Sequence, residues 1–303
     1  MKVGFIGLGA MGLPMAKRVV GAGHQTFTTI HRRRAPADEL AAAGAKVLKS
    51  PAEVAEATDV VITIVPADKE LKEVVLGEDG VVHGFSPGKV LIDMTSSTAL
   101  SMQEVQRAVV AAGGEVLDAP VSGGTPAAAQ GTLTIMVGGE ARLLERCRPL
   151  LETMGQKIVH VGPVGQGKVV KMVNQMMAAA HLVMIGEAFA LGVRCGADPS
   201  TLYDVIKTSS GYSKMMDLRL PGFLLDGNAD PGFRLDLMKK DVNLAVDSGQ
   251  ALNVPLLLTS VVGQLFSAAS TAGRGDLDFS AAAQYVADLA GVHLSAKQTV
   301  GPA

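Results

Sequence analysis

The apolar residues in the first half of the chain fall into short continuous runs separated by stretches with helical periodicity. Such runs are expected to form β-strands at residues 3–6, 25–30, 60–65, 90–93, 115–119, 133–137 and 157–161. Strands that are apolar throughout and alternate with helices indicate a parallel sheet covered by helices on both faces. The first half is therefore predicted to be an α/β domain.

The second half of the chain has a different pattern. The glycine-rich segment 162–167 ends the strands, and only helical periodicity follows it. Helices are predicted at residues 168–195, 199–208, 214–224, 235–253, 255–272 and 280–290, with a frayed tail at 295–303. We therefore expect an α/β domain at 1–162 and an all-α domain at 163–303, joined by a long interdomain helix.

The amino-acid composition is that of a globular protein with a large core. Hydrophobic residues make up 48% of the chain and charged residues 18%, which argues against a disordered protein. The net charge of −2 argues against nucleic acid or an acidic membrane as a partner. Residues 1–2 run directly into the first strand, so no signal peptide is predicted and a cytoplasmic location is expected.

A few isolated residues call for separate interpretation. The apolar stretch 169–193 contains Lys171, His181 and Glu187, so we expect it to lie between protein layers and not in a membrane. His181 itself is expected to be a satisfied core residue. No cluster of His, Asp and Cys suggests a metal site. Cys147 and Cys195 are expected to be buried free thiols.

A glycine-rich turn directly follows the first predicted strand. Its glycines match the pattern G-x-G-x-x-G at Gly7, Gly9 and Gly12. In a dinucleotide-binding turn the first glycine permits the tight turn, the second lets a pyrophosphate approach the backbone, and the third allows close packing of helix on strand. We therefore predict a Rossmann-type domain that binds a nicotinamide cofactor; an ordinary glycine turn is the alternative. The predicted cofactor contacts are Gly7, Leu8, Gly9, Ala10, Met11 and Gly12.

The choice between NAD and NADP is expected to depend on the end of the second strand. Enzymes that use NAD commonly place Asp or Glu there, whereas this chain has Arg32, Arg33 and Arg34. Guanidinium groups bind phosphate through paired, charge-assisted hydrogen bonds. We therefore predict NADP(H), with Arg32 and Arg33 as contacts to its 2′-phosphate. NAD(H) is the alternative, in which the arginines form a solvated basic loop.

Two other strand ends are predicted to line the cofactor groove, because ligands of open α/β sheets bind at the carboxyl ends of strands. One is Val65-Pro66, and the other is the segment that contains Thr95 and Ser96. Both hydroxyl groups suit the ribose or the nicotinamide amide. The alternative is that Ser96 or Ser97 caps the helix that follows.

A second glycine turn, Ser122-Gly123-Gly124, follows a later strand. It combines a hydroxyl group with exposed backbone N–H groups, and this combination suits an anion. We predict that the turn binds a substrate carboxylate; a plain glycine loop is the alternative.

The long helix carries three polar residues on one face near its start, Lys171, Asn174 and Gln175. A lysine that loses solvation there has a lowered pKa and becomes usable in proton transfer. The alternative is a lysine whose ammonium group reaches solvent from the first turn of the helix.

Four motifs together resemble the β-hydroxyacid dehydrogenase family. They are GFIGLGxMG at the N-terminus, DAPVSGG after a strand, GxGxxxKxxNQ at the start of the long helix, and Lys240-Asp241. The motifs occur in the family's order and at its spacing, so the resemblance covers nearly the whole chain. This family includes 3-hydroxyisobutyrate dehydrogenase, tartronate semialdehyde reductase and 2-(hydroxymethyl)glutarate dehydrogenase.

The resemblance implies a role for each matching residue. Lys171 is similar to the family's catalytic lysine, and Lys240 to a lysine near the nicotinamide and the substrate. Thr95 matches a cofactor-binding position. The implied substrate contacts are Ser122, Gly123, Gly124, Asn174 and Gln175. The resemblance also implies a homodimer or homotetramer built by the helical domain. Arg219 and Arg234 are candidates for binding a second acid group of the substrate, although a surface salt bridge is the preferred interpretation of each.

The predicted reaction is reversible hydride transfer between NADP(H) and a small β-hydroxy acid or semialdehyde acid, with Lys171 as general acid and base. Imine reduction is one alternative, but relatives with that activity generally lack the lysine at position 171. A cofactor-binding module without catalysis is another, and the presence of Ser122, Lys171 and Asn174 argues against it. A small carboxylate is thus the expected partner, and its identity is not specified by any motif.

Overall fold

The computed structural model of the chain describes residues 1–295. These residues form two compact units, Met1–Lys171 and the helical part that begins at Met172. The first unit contains the whole sheet, whose strands are β1 (Lys2–Ile6), β2 (Gln25–Thr29), β3 (Lys46–Leu48), β4 (Val60–Thr63), β5 (Val90–Asp93), β6 (Glu115–Asp118), β7 (Val121–Ser122), β8 (Leu133–Gly138) and β9 (Gly155–Gly162).

The strand order is β3-β2-β1-β4-β5-β6-β8-β7, and β9 pairs with β8. Parallel pairing runs without interruption from β3 to β6, so the predicted parallel sheet is confirmed there. The prediction of parallel pairing is wrong at β8, which is antiparallel to β6 and β7. The apolar run of β8 is buried on both faces, and such a run has the same pattern in either direction. The strands β3 and β7 were not predicted because they are only three and two residues long.

Helices cover both faces of this sheet. They are α1 (Gly12–Gly21), α2 (Ala35–Ala42), α3 (Pro51–Ala57), α4 (Asp68–Leu76), α5 (Ala99–Ala111), α6 (Gly124–Gln130) and α7 (Ala141–Leu151). Alternate residues of the central strands enter different cores: Ile62 and Ile92 pack in the cluster that contains α1 and α7, and Val61 and Leu91 in the cluster that contains α3, α4 and α5. This alternation explains why the central strands are apolar throughout.

The order of the strands defines where a ligand binds in such a sheet. From β1 the chain crosses to β2 on one side, whereas β4 pairs with β1 on the other. Ligands of open α/β sheets bind outside the carboxyl ends of the strands at this change of direction. The glycine turn after β1 lies at that point.

The helices of the second half are α8 (Gln166–Arg194), α9 (Pro199–Ile206), α10 (Lys214–Arg219), α11 (Leu235–Ala251), α12 (Leu257–Ala269) and α13 (Ala281–Asp288). The single helix predicted at 214–224 is wrong in its last turn, because Pro221 and Gly222 have non-helical backbone angles. Gly273, with φ of 83°, likewise ends the helical segment that follows α12. Of the predicted tail, Ser295 donates a hydrogen bond to the carbonyl oxygen of Leu225 at 3.3 Å, and residues 296–303 lie outside the described residues.

The second unit has its own apolar core, to which α8, α10, α11, α12 and α13 contribute. Helix α8 is long and apolar enough to span a membrane by length and composition alone, yet only 39% of its most apolar window is buried within the chain. Part of its apolar surface is therefore exposed.

Candidate active site

The glycine turn after β1 has one open glycine between two tightly packed ones. A Cβ atom on Gly7 would lie 2.0 Å from the carbonyl oxygen of Ile64, and one on Gly12 would lie 1.8 Å from the carbonyl oxygen of Gly7. Gly7 also has φ of 105°, which disfavours any side chain. At Gly9, in contrast, no described atom lies within 4 Å of an added Cβ. The turn thus has space at the position where a pyrophosphate would approach the backbone.

The start of α1 completes this phosphate-binding arrangement. Its N-cap is Met11, and among the described residues no side chain accepts a hydrogen bond from the first turn. The N–H of Leu13 donates to the carbonyl oxygen of Gly9 at 3.0 Å and Pro14 has no N–H, so the N–H groups expected to meet an anion are those of the glycine turn before Leu13, where the helix dipole favours negative charge. The turn and the helix therefore fit a dinucleotide. Leu8, Ala10 and Met11 lie within the turn as predicted, with Ala10 exposed and the other two partly buried.

The three arginines after β2 differ in their contacts. Their side chains are exposed, as a phosphate contact in a cofactor groove requires. The Nε atom of Arg34 lies 3.3 Å from Oδ1 of Asp38, one helical turn later. Arg34 thus has an exposed ion-pair partner in the helix that follows.

The ends of β4 and β5 are joined by the Thr95 side chain. Thr95 is completely buried, and its Oγ1 accepts a hydrogen bond from the backbone N–H of Val65 at 3.1 Å. Thr95 therefore supports the backbone of the predicted cofactor-lining segment Val65-Pro66. The helix-cap alternative for Ser96 or Ser97 is wrong: Thr98 caps α5, because its Oγ1 accepts from the N–H of Ser101 at 3.1 Å.

The predicted carboxylate-binding turn has two consecutive glycines in the left-handed region. Gly123 has φ of 137° and Gly124 has φ of 70°. A Cβ atom on Gly123 would also lie 2.6 Å from that of Ala127. Ser122 lies immediately before them at the end of β7, where it pairs with Thr134 of β8. The sheet therefore holds the serine, and the glycines turn the chain directly after it.

The polar residues of α8 differ in burial. Lys171 and Asn174 are partly buried, whereas Gln175 is only 6% exposed. Lys171 belongs to the first compact unit, and the other two belong to the second. The Lys171 side chain is thus neither enclosed nor fully exposed to solvent.

Gln175 is bound within the helical unit. Its Nε2 donates to Oδ2 of Asp241 at 2.7 Å, and its Oε1 accepts from Nδ2 of Asn174 at 3.2 Å. The other oxygen of Asp241 lies 2.8 Å from Nζ of Lys240. Asp241 is 3% exposed, so its charge is compensated by this lysine inside the protein. The network connects Asn174, Gln175 and Lys240, all predicted substrate contacts.

Sequence reasoning assigned no role to several buried residues, four in the first unit and one in the second. They are Thr63, Asp93, Asp118, Lys168 and Asp241, each of which is less than 4% exposed and hydrogen-bonded to a residue far along the chain. Two of them could have been identified from the sequence, because Asp93 and Asp118 each end an apolar strand. In the structure these two residues are register partners on neighbouring strands. Charged side chains at adjacent strand ends indicate a buried ion pair or a binding site.

Other single-residue predictions need correction. His181 is exposed and not a core residue, and Cys195 is exposed, although Cys147 is buried and both thiols are free. Arg219 forms the predicted ion pair, with its Nε 3.1 Å from Oδ1 of the buried Asp278, but not at the surface: its side chain is 14% exposed, and its guanidinium lies over the rings of Phe223 and Phe279. Arg234 does form an exposed ion pair, with Asp276.

Within residues 1–295 no group of His, Cys, Asp or Glu side chains has the arrangement of a metal site.

Comparison with known proteins gives matches along nearly the whole chain. The model of the NAD binding domain of 6-phosphogluconate dehydrogenase matches residues 2–162. The model described as NAD-binding of NADP-dependent 3-hydroxyisobutyrate dehydrogenase matches residues 165–286.

Individual relatives match at similar length. 2-(Hydroxymethyl)glutarate dehydrogenase from Eubacterium barkeri is 37% identical over 98% of this chain and 99% of its own. 2-Hydroxy-3-oxopropionate reductase from Escherichia coli K12 is 37% identical over 94% of this chain and 96% of its own. The solved structure of 3-hydroxyisobutyrate dehydrogenase from Mycobacterium tuberculosis with L-serine superimposes with a TM-score of 0.86 at 34% identity, covering 93% of this chain and 97% of that one.

The dinucleotide-binding turn, the fold and these matches define an NAD(P)-dependent oxidoreductase that acts on CH–OH groups. Within that class, the chain belongs to the β-hydroxyacid dehydrogenase family. The predicted family, the Rossmann-type domain with a helical domain after it, and the nicotinamide cofactor are thereby confirmed.

Proposed function

We propose that this chain transfers hydride reversibly between NADP(H) and a small β-hydroxy acid or semialdehyde acid. The observation that carries the proposal is the partly buried pair of Lys171 and Asn174 at the start of the mostly apolar helix α8. A lysine and a carboxamide one helical turn apart offer a proton donor and an orienting group to one small substrate. Relatives named for 2-(hydroxymethyl)glutarate and 2-hydroxy-3-oxopropionate support this substrate class.

The residues divide the chemistry among them. Ser122 and the N–H groups of its glycine turn hold the substrate carboxylate, and Asn174 orients the carbon that bears oxygen. A nicotinamide held at the glycine turn would supply the hydride acceptor for that carbon in oxidation and the hydride donor in reduction. During oxidation Lys171 accepts the hydroxyl proton, and during reduction it donates a proton to the carbonyl oxygen.

Gln175 and Lys240 have proposed roles that are linked through Asp241. Lys240 contacts the substrate and the cofactor, whereas Gln175 acts through Asp241. Because both polar groups of Gln175 already bind Asn174 and Asp241, its main contribution is to hold those residues in place. Asp241 in turn orients the Lys240 ammonium group through a contact of 2.8 Å.

A spectrophotometric substrate panel tests the proposed reaction. NADP⁺ and NAD⁺ are each assayed with 3-hydroxyisobutyrate, glycerate, serine, threonate and 2-(hydroxymethyl)glutarate. The reduced cofactors are assayed with glyoxylate and succinic semialdehyde. Turnover of at least one hydroxy acid or semialdehyde acid is expected. Activity on cyclic imines alone, or cofactor binding without any turnover, would contradict the proposal.

Replacing both Arg32 and Arg33 with alanine is expected to raise the KM for NADP⁺ by about 10- to 100-fold, because charge-assisted hydrogen bonds to the 2′-phosphate are lost. The KM for NAD⁺, which has no such phosphate, should change less than about twofold. Arg34→Ala is the control, because its guanidinium pairs with Asp38. Steady-state kinetics with both cofactors measure the effect, and an equal loss with NAD⁺ would refute the assignment.

The exposed apolar face of α8 supports assembly into a homo-oligomer. Val173, Met177, Met184 and Leu191 are 45%, 56%, 58% and 68% exposed, and they follow one another at intervals of four and seven residues. These intervals place them along one side of the helix. An exposed apolar stripe of this kind, with the polar residues His181 and Glu187 beside it, marks an interaction surface, so we propose that a second copy of the chain covers it.

Met184→Glu is therefore expected to shift the protein from dimer or tetramer to monomer, because it would bury an unpaired charge in the interface. Leu100→Glu is the control, since Leu100 is 73% exposed on α5 of the first unit. Light scattering coupled to size-exclusion chromatography measures the mass of each variant. A wild-type protein that is monomeric at micromolar concentration would exclude the proposed interface.

A further inference from the structure

Lys168 is a fully buried lysine in the first turn of α8. Its side chain is 1% exposed, and its Nζ donates to Oδ2 of Asp93 at 2.6 Å, to the carbonyl oxygen of Asp93 at 2.9 Å and to that of Thr95 at 2.7 Å. An ammonium group has three donors, so all of them are used. Lysine is almost never fully buried unless it is paired, and the sequence motifs give this one no role.

A second buried carboxylate fixes the backbone around this lysine. Oδ1 of Asp118 accepts from the N–H of Gly165 at 2.7 Å, and Oδ2 accepts from the N–H of Lys168 at 2.9 Å. Burial raises the pKa of Asp118, and the charge of Lys168 opposes this rise. A Cβ atom on Gly167 would lie 2.5 Å from the carbonyl oxygen of Met136. The start of α8 is therefore packed directly against the strand ends.

The same network reaches the strand ends that are predicted to line the cofactor groove. Oδ1 of Asp93 accepts from Oγ1 of Thr63 at 2.8 Å and from the N–H of Thr95 at 3.2 Å. Thr95 in turn holds the backbone of Val65. One ammonium group thus joins the ends of β4 and β5 to the helix on which Lys171 lies three residues later.

We infer that Lys168 is a positioning residue for the reaction: its bonds to Asp93 and Thr95 hold the first turn of α8, and with it Lys171, at a fixed place against the strand ends. The inference builds on the proposed function, since it assigns Lys171 the proton transfer. Small displacements matter in such a reaction, because a misplacement of about 1 Å can cost about 100-fold in rate.

The test separates positioning from mere stability. Lys168→Met alone leaves Asp93 buried without a counter-charge and is expected to unfold part of the protein. The double variant Lys168→Met/Asp93→Asn removes both charges and keeps the Oδ1 acceptor for Thr63 and Thr95, so its Tm should return toward that of the wild type. We expect its kcat to stay at least about tenfold low, with the Kd for NADP⁺ within about threefold of wild type.

Hydrogen exchange gives a readout that does not depend on activity. The amides of residues 165–171 should exchange faster in the double variant than in the wild type, while exchange elsewhere in the first unit stays unchanged. Asp93→Asn alone leaves the buried Lys168 ammonium group without its carboxylate and, like Lys168→Met, is expected to lower Tm. Lys157→Met, at an exposed lysine, is the control.

Three outcomes decide the matter. A low kcat and faster exchange at 165–171 in a stable double variant support the inference. Wild-type kcat and wild-type exchange in that variant would overturn it. If the wild type turns over no substrate of the panel, the proposed function fails, and the exchange data alone then decide whether Lys168 holds the helix start.

Discussion

Lys171→Ala is expected to lower kcat by about 10²- to 10⁴-fold, the range that general acid–base catalysis contributes. The proposed role requires a proton to move between the ε-amino group and the substrate oxygen, and alanine has no group that replaces it. The Kd for NADP⁺ should change less than about twofold, because the described cofactor-binding elements are the turn at Gly7–Gly12 and the strand ends. The loss should therefore appear in turnover and not in cofactor affinity.

Two further variants sharpen this experiment. Lys171→Arg keeps a positive charge but cannot deliver a proton at neutral pH, so it should be nearly as slow as the alanine variant. Lys214→Ala, at an exposed lysine of the helical unit, should retain full activity. Stopped-flow measurement of the first turnover, with fluorescence titration of NADPH, separates chemistry from binding. Full turnover by Lys171→Ala would remove the proton-transfer role.

The parts of the site that the sequence predicts well are those whose constraints act over a few residues. At the first glycine turn, the requirement for Gly7 and Gly12 arises from backbone atoms of the turn itself and of the neighbouring β4 end. The strand–turn–helix order makes this constraint visible in the sequence. The pattern of apolar runs likewise located every central strand of the sheet, because burial on both faces leaves no alternative composition.

Long-range polar contacts could not be predicted in the same way. Lys168 and Asp93 are 75 residues apart, and Gln175 and Asp241 are 66 apart. Nothing in the local sequence distinguishes a lysine that points into the sheet from one that points to solvent. The family resemblance makes Gln175 a predicted substrate contact, and no local pattern predicts its hydrogen bond to Asp241.

The errors on α8 have one physical cause. The helix is apolar around most of its circumference, and this pattern is typical of a helix that is buried on all sides. In the structure one side of α8 is exposed, with Met184, His181 and Leu191 on it. Periodicity in the sequence shows that a side of the helix is apolar, but not whether that side is covered by the same chain or would be covered by a second copy. The prediction that His181 is a core residue is wrong for this reason.

Gly9→Ala is expected to weaken NADP⁺ binding by about 10- to 100-fold, because a methyl group would occupy the space where the pyrophosphate meets the backbone and would displace charge-assisted hydrogen bonds. The same change should leave Tm nearly unaltered, since no described atom lies within 4 Å of that methyl group. Gly12→Ala, in contrast, should lower Tm. Its methyl group would lie 1.8 Å from the carbonyl oxygen of Gly7, so the turn must move, and overpacking of this kind costs about 1–3 kcal/mol of unfolding free energy.

Gly21→Ala is the matched control for both variants, because it lies at the other end of α1 and also has no described atom within 4 Å of an added Cβ. A glycine-to-alanine change at a helical position of this kind should stabilise the protein slightly, by about 0.5–1 kcal/mol. Isothermal titration with NADP⁺ and thermal unfolding without cofactor measure the two quantities separately. Wild-type cofactor affinity in Gly9→Ala would mean that the pyrophosphate does not bind at this turn. A lowered Tm in that variant would mean that the packing of the protein itself requires Gly9, as it requires Gly12.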